Sequence, residues 1–118
     1  MRRFLLALAA LPVVLCAGNA LAGHVRGPQS KVDMVDAKGT DVYTMVFEAE
    51  RLARVTVNGD GSTDLDCYAY DGNGNLVESD VDGTDMCVLS WTPAWEGKFK
   101  INIKNRGKIP NIYTISTN

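Results

Sequence analysis

From Asp41 to the C-terminus, apolar and polar residues alternate with a period of two, and that pattern rules out most folds for this chain. Tyr43, Met45, Phe47 and Ala49 alternate with Thr44, Val46 and Glu48. Leu52, Val55 and Val57 read as one side, with Arg54, Thr56 and Asn58 opposite. Leu65, Cys67 and Ala69 face away from Asp66, Tyr68 and Tyr70, and a short segment, Leu76-Val77-Glu78-Ser79, follows. Cys87, Leu89 and Trp91 form another inward set. Phe99, Ile101 and Ile103 alternate with Lys98, Lys100, Asn102 and Lys104, and a last strand from Asn111 turns Tyr113 and Ile115 inward. Only an extended strand sends successive side chains to opposite faces. Clusters of Gly, Asn and Asp, such as Asp71-Gly72-Asn73-Gly74-Asn75, separate the segments at turn spacing. After residue 22 there is no helical stripe of useful length. The expectation is an all-β domain, an antiparallel sandwich of seven to eight strands.

The start of the chain follows different rules. Met1-Arg2-Arg3 precedes an apolar run from Phe4 to Leu15, and small residues then lead to Ala20-Leu21-Ala22. A charged start, a short apolar run and an A-x-A exit describe a cleaved export signal, with Gly23 as the first mature residue. The run is shorter than the roughly 20 residues a spanning helix needs, so no stable membrane insertion is expected after cleavage. Cys16 ends the run, but Leu15 before it does not suit lipid attachment. The reading is therefore a signal peptide over 1–22, an extended lead-in with at most one short edge strand over 23–40, and the sandwich over 41–118. A periplasmic or secreted location follows.

Cleavage changes both the charge and the cysteine count. Ten basic residues then face 14 acidic ones, a net charge near −4. Cys67 and Cys87 are the pair that remains, 20 positions apart on inward sets. In an exported domain such a pair reads as one disulfide, the competing reading being two buried thiols.

Longer motifs resemble a known family. Val55-Thr56-Val57 is followed by the run from Gly59 to Asp71, which contains Asp64-Leu65-Asp66-Cys67, and by Gly74-Asn75-Leu76-Val77. Ser90-Trp91-Thr92-Pro93, Gly97-Lys98-Phe99 and Ile101-Asn102-Ile103-Lys104-Asn105 complete the pattern in order. Together these resemble the bacterial pre-peptidase C-terminal domain over about residues 41–118. The resemblance implies a jelly-roll-like sandwich in secreted bacterial proteins and a non-catalytic binding role, in some relatives toward collagen-like or polysaccharide ligands. No peptidase precedes the domain here, so the expected relatives are stand-alone exported members.

Residues that carry chemistry are sparse. The only histidine, His24, lies next to the mature start, and no serine stands in a nucleophile signature. Cys67 and Cys87 lack the spacing of a redox pair. No enzyme is expected. Between Val55 and Glu96 there are acids but no Lys or Arg. Asp64, Asp66, Asp80, Asp82 and Asp85 are accordingly the candidate calcium ligands, against the alternative that Asp and Asn here simply build turns. Lys98, Lys100 and Lys104 share one outward face and, with Trp95, are the candidate contacts for an envelope component, a polysaccharide or a protein. Lysines that keep a strand edge soluble are the plainer alternative. An exported, acidic chain is not expected to bind nucleic acid.

Overall fold

The computed structural model describes residues 23–118, and the segment 1–22, read above as an export signal, lies outside the described residues. Eight strands form: β1 (Gln29–Val35), β2 (Thr40–Phe47), β3 (Ala53–Asn58), β4 (Leu65–Tyr70), β5 (Leu76–Asp80), β6 (Met86–Trp91), β7 (Gly97–Asn105) and β8 (Asn111–Thr117). They build two four-stranded sheets, ordered β1-β8-β3-β6 and β2-β7-β4-β5. All pairings are antiparallel. Every connection except the β4–β5 hairpin carries the chain from one sheet to the other, which is the winding of a jelly roll.

The inward sets meet between the sheets. Phe47, Val55, Val57, Leu65, Leu89, Ile101 and Ile103 are fully buried there. Burial of each such side chain contributes roughly 1.5–3 kcal/mol. At one end of the sandwich Trp91 packs against Phe47 and Phe99, with ring centroids 5.1 and 5.3 Å away. At the opposite end the Cys67–Cys87 disulfide joins β4 of one sheet to β6 of the other, with Cα atoms 6.2 Å apart. The bridge is wholly buried.

Two features refine the sequence reading. The edge strand expected in the lead-in is β1, seven residues long: it pairs with β8 along its whole length, and Val35 at its end is fully buried. The inward residue before Val55 is Ala53, and Leu52 is 49% exposed in the preceding turn. Glu50 in that turn has φ 58°, and the positive φ reverses the chain before β3 begins.

A polar clasp closes the sandwich on its β1/β2 side. Tyr43 Oη donates to Asp33 Oδ2 at 2.8 Å, Tyr113 Oη donates to Asp41 Oδ2 at 2.6 Å, and the two hydroxyls are 2.7 Å apart. Burial and the neighbouring carboxylates push Tyr43 up to about 12 and raise Tyr113 further.

Candidate functional site

The outer face of the β2-β7-β4-β5 sheet gathers the candidate contacts. Cross-strand register places Thr44, Lys100, Tyr70 and Leu76 in one row and Val42, Asn102, Tyr68 and Ser79 in the next. Lys104 lies beyond them beside Asp66, and Lys98 lies at the other end of β7. Tyr68 and Tyr70 are stacked, their rings 6.4 Å apart and 26° from parallel. Among the described residues none of Lys98, Lys100 and Lys104 comes within ion-pair distance of a carboxylate. Asn102 is in the middle of this strip, with its Oδ1 covered and no donor to it among the described residues.

Beyond Lys98 the strip runs into a cleft of about 530 Å³ at the aromatic end of the sandwich. Its walls are the Asp71–Asn73 part of the β4–β5 turn and the loop from Trp91 to Trp95. Asp71 shapes that turn: its Oδ1 accepts the N–H groups of Asn73 and Asn75, both at 2.9 Å, and Gly74 supplies a φ of 83°. These N–H donors hold the Asp71 carboxyl below its ordinary range. Trp95 is 73% exposed at the cleft's rim. Trp91 is half-buried in its wall, and its indole N–H is covered without an acceptor among the described residues. The sequence reading placed Tyr68 and Tyr70 outward but did not count them as contacts. Their value comes from β7 beside them, and that neighbour is known only from the register.

The acidic residues lie at the opposite end, in and beside the β3–β4 and β5–β6 connections. Asp80 Oδ2 accepts the Val88 N–H at 2.9 Å. Asp82 Oδ1 accepts the N–H of Thr84 at 3.1 Å and its hydroxyl at 2.9 Å. Asp85 Oδ2 accepts from the Gly61 N–H and, at 3.2 Å, from Asn111 Nδ2. Asp66 is only 6% exposed and faces the Arg106 guanidinium at 3.6 Å. Burial raises its carboxyl, and the Asp64 charge pushes the same way against Arg106. Asp64 Oδ1 is covered and has no donor among the described residues. Among those residues no three or more acidic, His or Cys side chains converge as a metal-holding group. His24 Nδ1 accepts the Arg26 N–H at 3.1 Å, and the ring meets Phe47 edge-on. Burial lowers its pKa, with Arg26 adding to the effect.

The fold has counterparts among solved structures. The pre-peptidase C-terminal domain of collagenase from Bacillus anthracis superposes with a TM-score of 0.60 at 13% identity, over 76% of this chain and 88% of that one. The fold is of the pre-peptidase C-terminal kind. PliG of Aeromonas hydrophila, a periplasmic lysozyme inhibitor of g-type lysozyme, matches with a TM-score of 0.52 at 18% identity, over 81% of this chain and 88% of its own. The Yersinia pseudotuberculosis-derived mitogen matches at 0.54 and 12% identity, over 76% and 83%. Neither a family model nor a curated protein matches the sequence.

Proposed function

We propose that this chain is an exported, non-catalytic module that binds a component of the bacterial envelope through the outer face of the β2-β7-β4-β5 sheet. The observation that carries this reading is the joining of stacked Tyr68 and Tyr70 to three lysines that have no carboxylate partner among the described residues, in a domain that is acidic overall. Aromatic faces and unpaired cations on one strand surface serve recognition better than folding, because neither is needed by the core. Export is supported by the leader sequence and by the buried Cys67–Cys87 bridge, a bond characteristic of oxidising compartments. A periplasmic protein of this fold, the Aeromonas inhibitor, supports the same compartment and a role exercised by binding.

The test is co-sedimentation with isolated bacterial cell envelopes, using protein recovered from export of the full chain. Wild type should pellet, and a Lys98→Gln/Lys100→Gln/Lys104→Gln variant should stay in solution. Val32→Ser and Thr56→Ala, on the outer face of the other sheet, should pellet like wild type. If both sets pellet equally, the assigned face is wrong. Intact mass checks the export half of the reading, which requires Gly23 as the first residue.

A further inference from the structure

On the side of the sandwich where β1 and β2 are the edges of their sheets, a groove of about 530 Å³ opens between the two strands. Its floor includes the buried Ile115 of β8 and the half-buried Met45, and the Tyr43–Asp33 contact of the polar clasp closes one end. At the other end the chain itself lies on β2. Gly23 O accepts the Glu48 N–H at 2.8 Å and the Val25 N–H donates to Val46 O at 3.1 Å, so residues 23–25 pair antiparallel with the free edge of β2. Gly27, with φ 73° and its N–H on His24 O, then turns the chain away toward β1. The pairing stops there, but β2 continues. Alternate residues of an antiparallel strand bond to opposite sides, and the bonds at Val46 and Glu48 fix the phase. Val42 and Thr44 therefore turn their N–H and C=O groups to the same free edge, and among the described residues nothing pairs with them there. We infer that this edge takes one more strand, an extended peptide with an acidic group, laid along residues 42–46 beside the groove. The site is separate from the outer face proposed above, and the inference goes beyond that reading.

Three observations select this occupant. The first is the main chain. A free strand edge presents a donor and an acceptor together about every 6.6 Å. Another peptide main chain answers both groups at that repeat, whereas sugar hydroxyls and lipid headgroups carry no such alternation. The second is the protein's own use of the edge, since residues 23–25 already occupy its far end as a strand. Little in β2 guards the rest: its outward side chains are Thr40, Val42, Thr44 and Val46, and it has no Lys, Pro or bulge. The third is charge. Arg26 stands exposed where the chain leaves β2, with no carboxylate within ion-pair distance among the described residues. Lys31 on the opposite wall is held by Asp33 at 3.3 Å and lies 5.6 Å over the Tyr43 ring. Asp33 and Asp41 make the clasp end acidic, so the acidic group of the peptide belongs at the Arg26 end.

The test uses isotope-labelled exported protein and a hexapeptide of alternating valine and threonine, extended by a glutamate at its first or its last position. Saturable NMR shifts of the Val42, Thr44 and Val46 amides are expected, with slowed hydrogen exchange at Val42 and Thr44. The tighter of the two peptides gives the direction of the added strand. That peptide is then N-methylated on one alternate set of residues or on the other, which keeps every side chain. Only one set of N–H groups faces β2, so one form should bind like the parent and the other roughly tenfold or more weakly. Arg26→Gln, or glutamine for the peptide's glutamate, should weaken binding about twofold to fivefold. Thr44→Pro removes an edge N–H and should abolish it, while Lys98→Gln/Lys100→Gln/Lys104→Gln should leave it unchanged. Equal binding of the two N-methylated forms, or no binding of either parent peptide, overturns strand addition. Shifts centred on Tyr68 and Tyr70, or loss of binding in the lysine variant, overturn the site. Slow exchange at Val42 and Thr44 in the free protein that deepens with protein concentration overturns the peptide in favour of a second copy. Binding indifferent to both charge changes overturns the acidic character of the partner.

Discussion

Removing the Cys67–Cys87 bridge is the perturbation whose size follows most directly from the structure. The bridge closes a loop with a sequence separation of 20 and joins the two sheets at the end opposite the aromatic cluster. Restricting an unfolded loop of that length corresponds to about 3 kcal/mol in the chain-entropy model. Both cysteines are fully buried, so reduction changes the unfolded chain far more than the packing of the core. For a domain near 100 residues, each kcal/mol moves the midpoint by roughly 4–8 °C, so reduced protein should melt on the order of 12–24 °C lower. The assay is thermal unfolding with and without reductant, which reads that shift, alongside urea unfolding followed by tryptophan fluorescence. The oxidised form should show a higher midpoint and a shallower slope, because a cross-linked unfolded chain exposes less surface. Superimposable curves, or two titratable thiols in denaturant without reductant, would refute the reasoning.

Three further outcomes are expected. Tyr43 is pushed up to about 12 in the folded protein from an ordinary value of 10.0, so its contribution is complete below pH 10 and is lost as pH rises through 12; Tyr43→Phe should flatten the alkaline limb of the stability curve, and an unchanged limb would show that the clasp does not titrate. Glu50→Gly relieves a φ of 58° at an exposed turn position and should raise stability by up to about 1 kcal/mol, read as a higher melting temperature. Millimolar calcium and a chelator should both leave the melting temperature unchanged, because Asp80, Asp82 and Asp85 already accept protein hydrogen bonds; a calcium-dependent rise would return Asp64 and Asp66 to consideration as ligands.

Period-two alternation made the core strands legible because a half-buried strand must write its orientation into every second residue. Val55 and Val57 define the phase of β3, and continuing it backward lands on Ala53, which is buried. Leu52 is apolar but out of that phase, so its hydrophobicity alone points to the wrong face. β1 left almost no such trace, since as an edge strand it buries only Val35 at its end, while its inward-side Lys31 and Asp33 sit at the sheet's open margin. Asp66 is outward by phase, yet the neighbouring Arg106, from beyond the end of β7, helps enclose it. The site was legible in its parts and not in its assembly. Lys98, Lys100 and Lys104 shared a face by periodicity, but the tyrosines beside them depend on the β4–β7 register, which no single strand encodes.

The two ends of the sandwich differ in how their connections are held, and this bears on where binding is placed. At the disulfide end, Gly59 N–H donates to Asp85 O, Leu65 N–H to Thr84 O, Arg106 N–H to Asp64 O and Lys38 N–H to Gly107 O, so the four connections there are braced against one another. The buried Asn105 and Asn111 add side-chain bonds to Ile109 O and Thr63 Oγ1. Acidic residues at this end are thereby used in holding loops. At the aromatic end, the loop that carries Trp95 has a single backbone tie to its neighbours among the described residues, the Glu50 N–H to Pro93 O bond. A loop with few ties can adjust around a ligand without unfolding what lies beneath it, and here that is the packed cluster of Phe47, Trp91 and Phe99. The bridged end fixes the two sheets relative to each other, and the loop that carries Trp95 lies at the far end from that bridge.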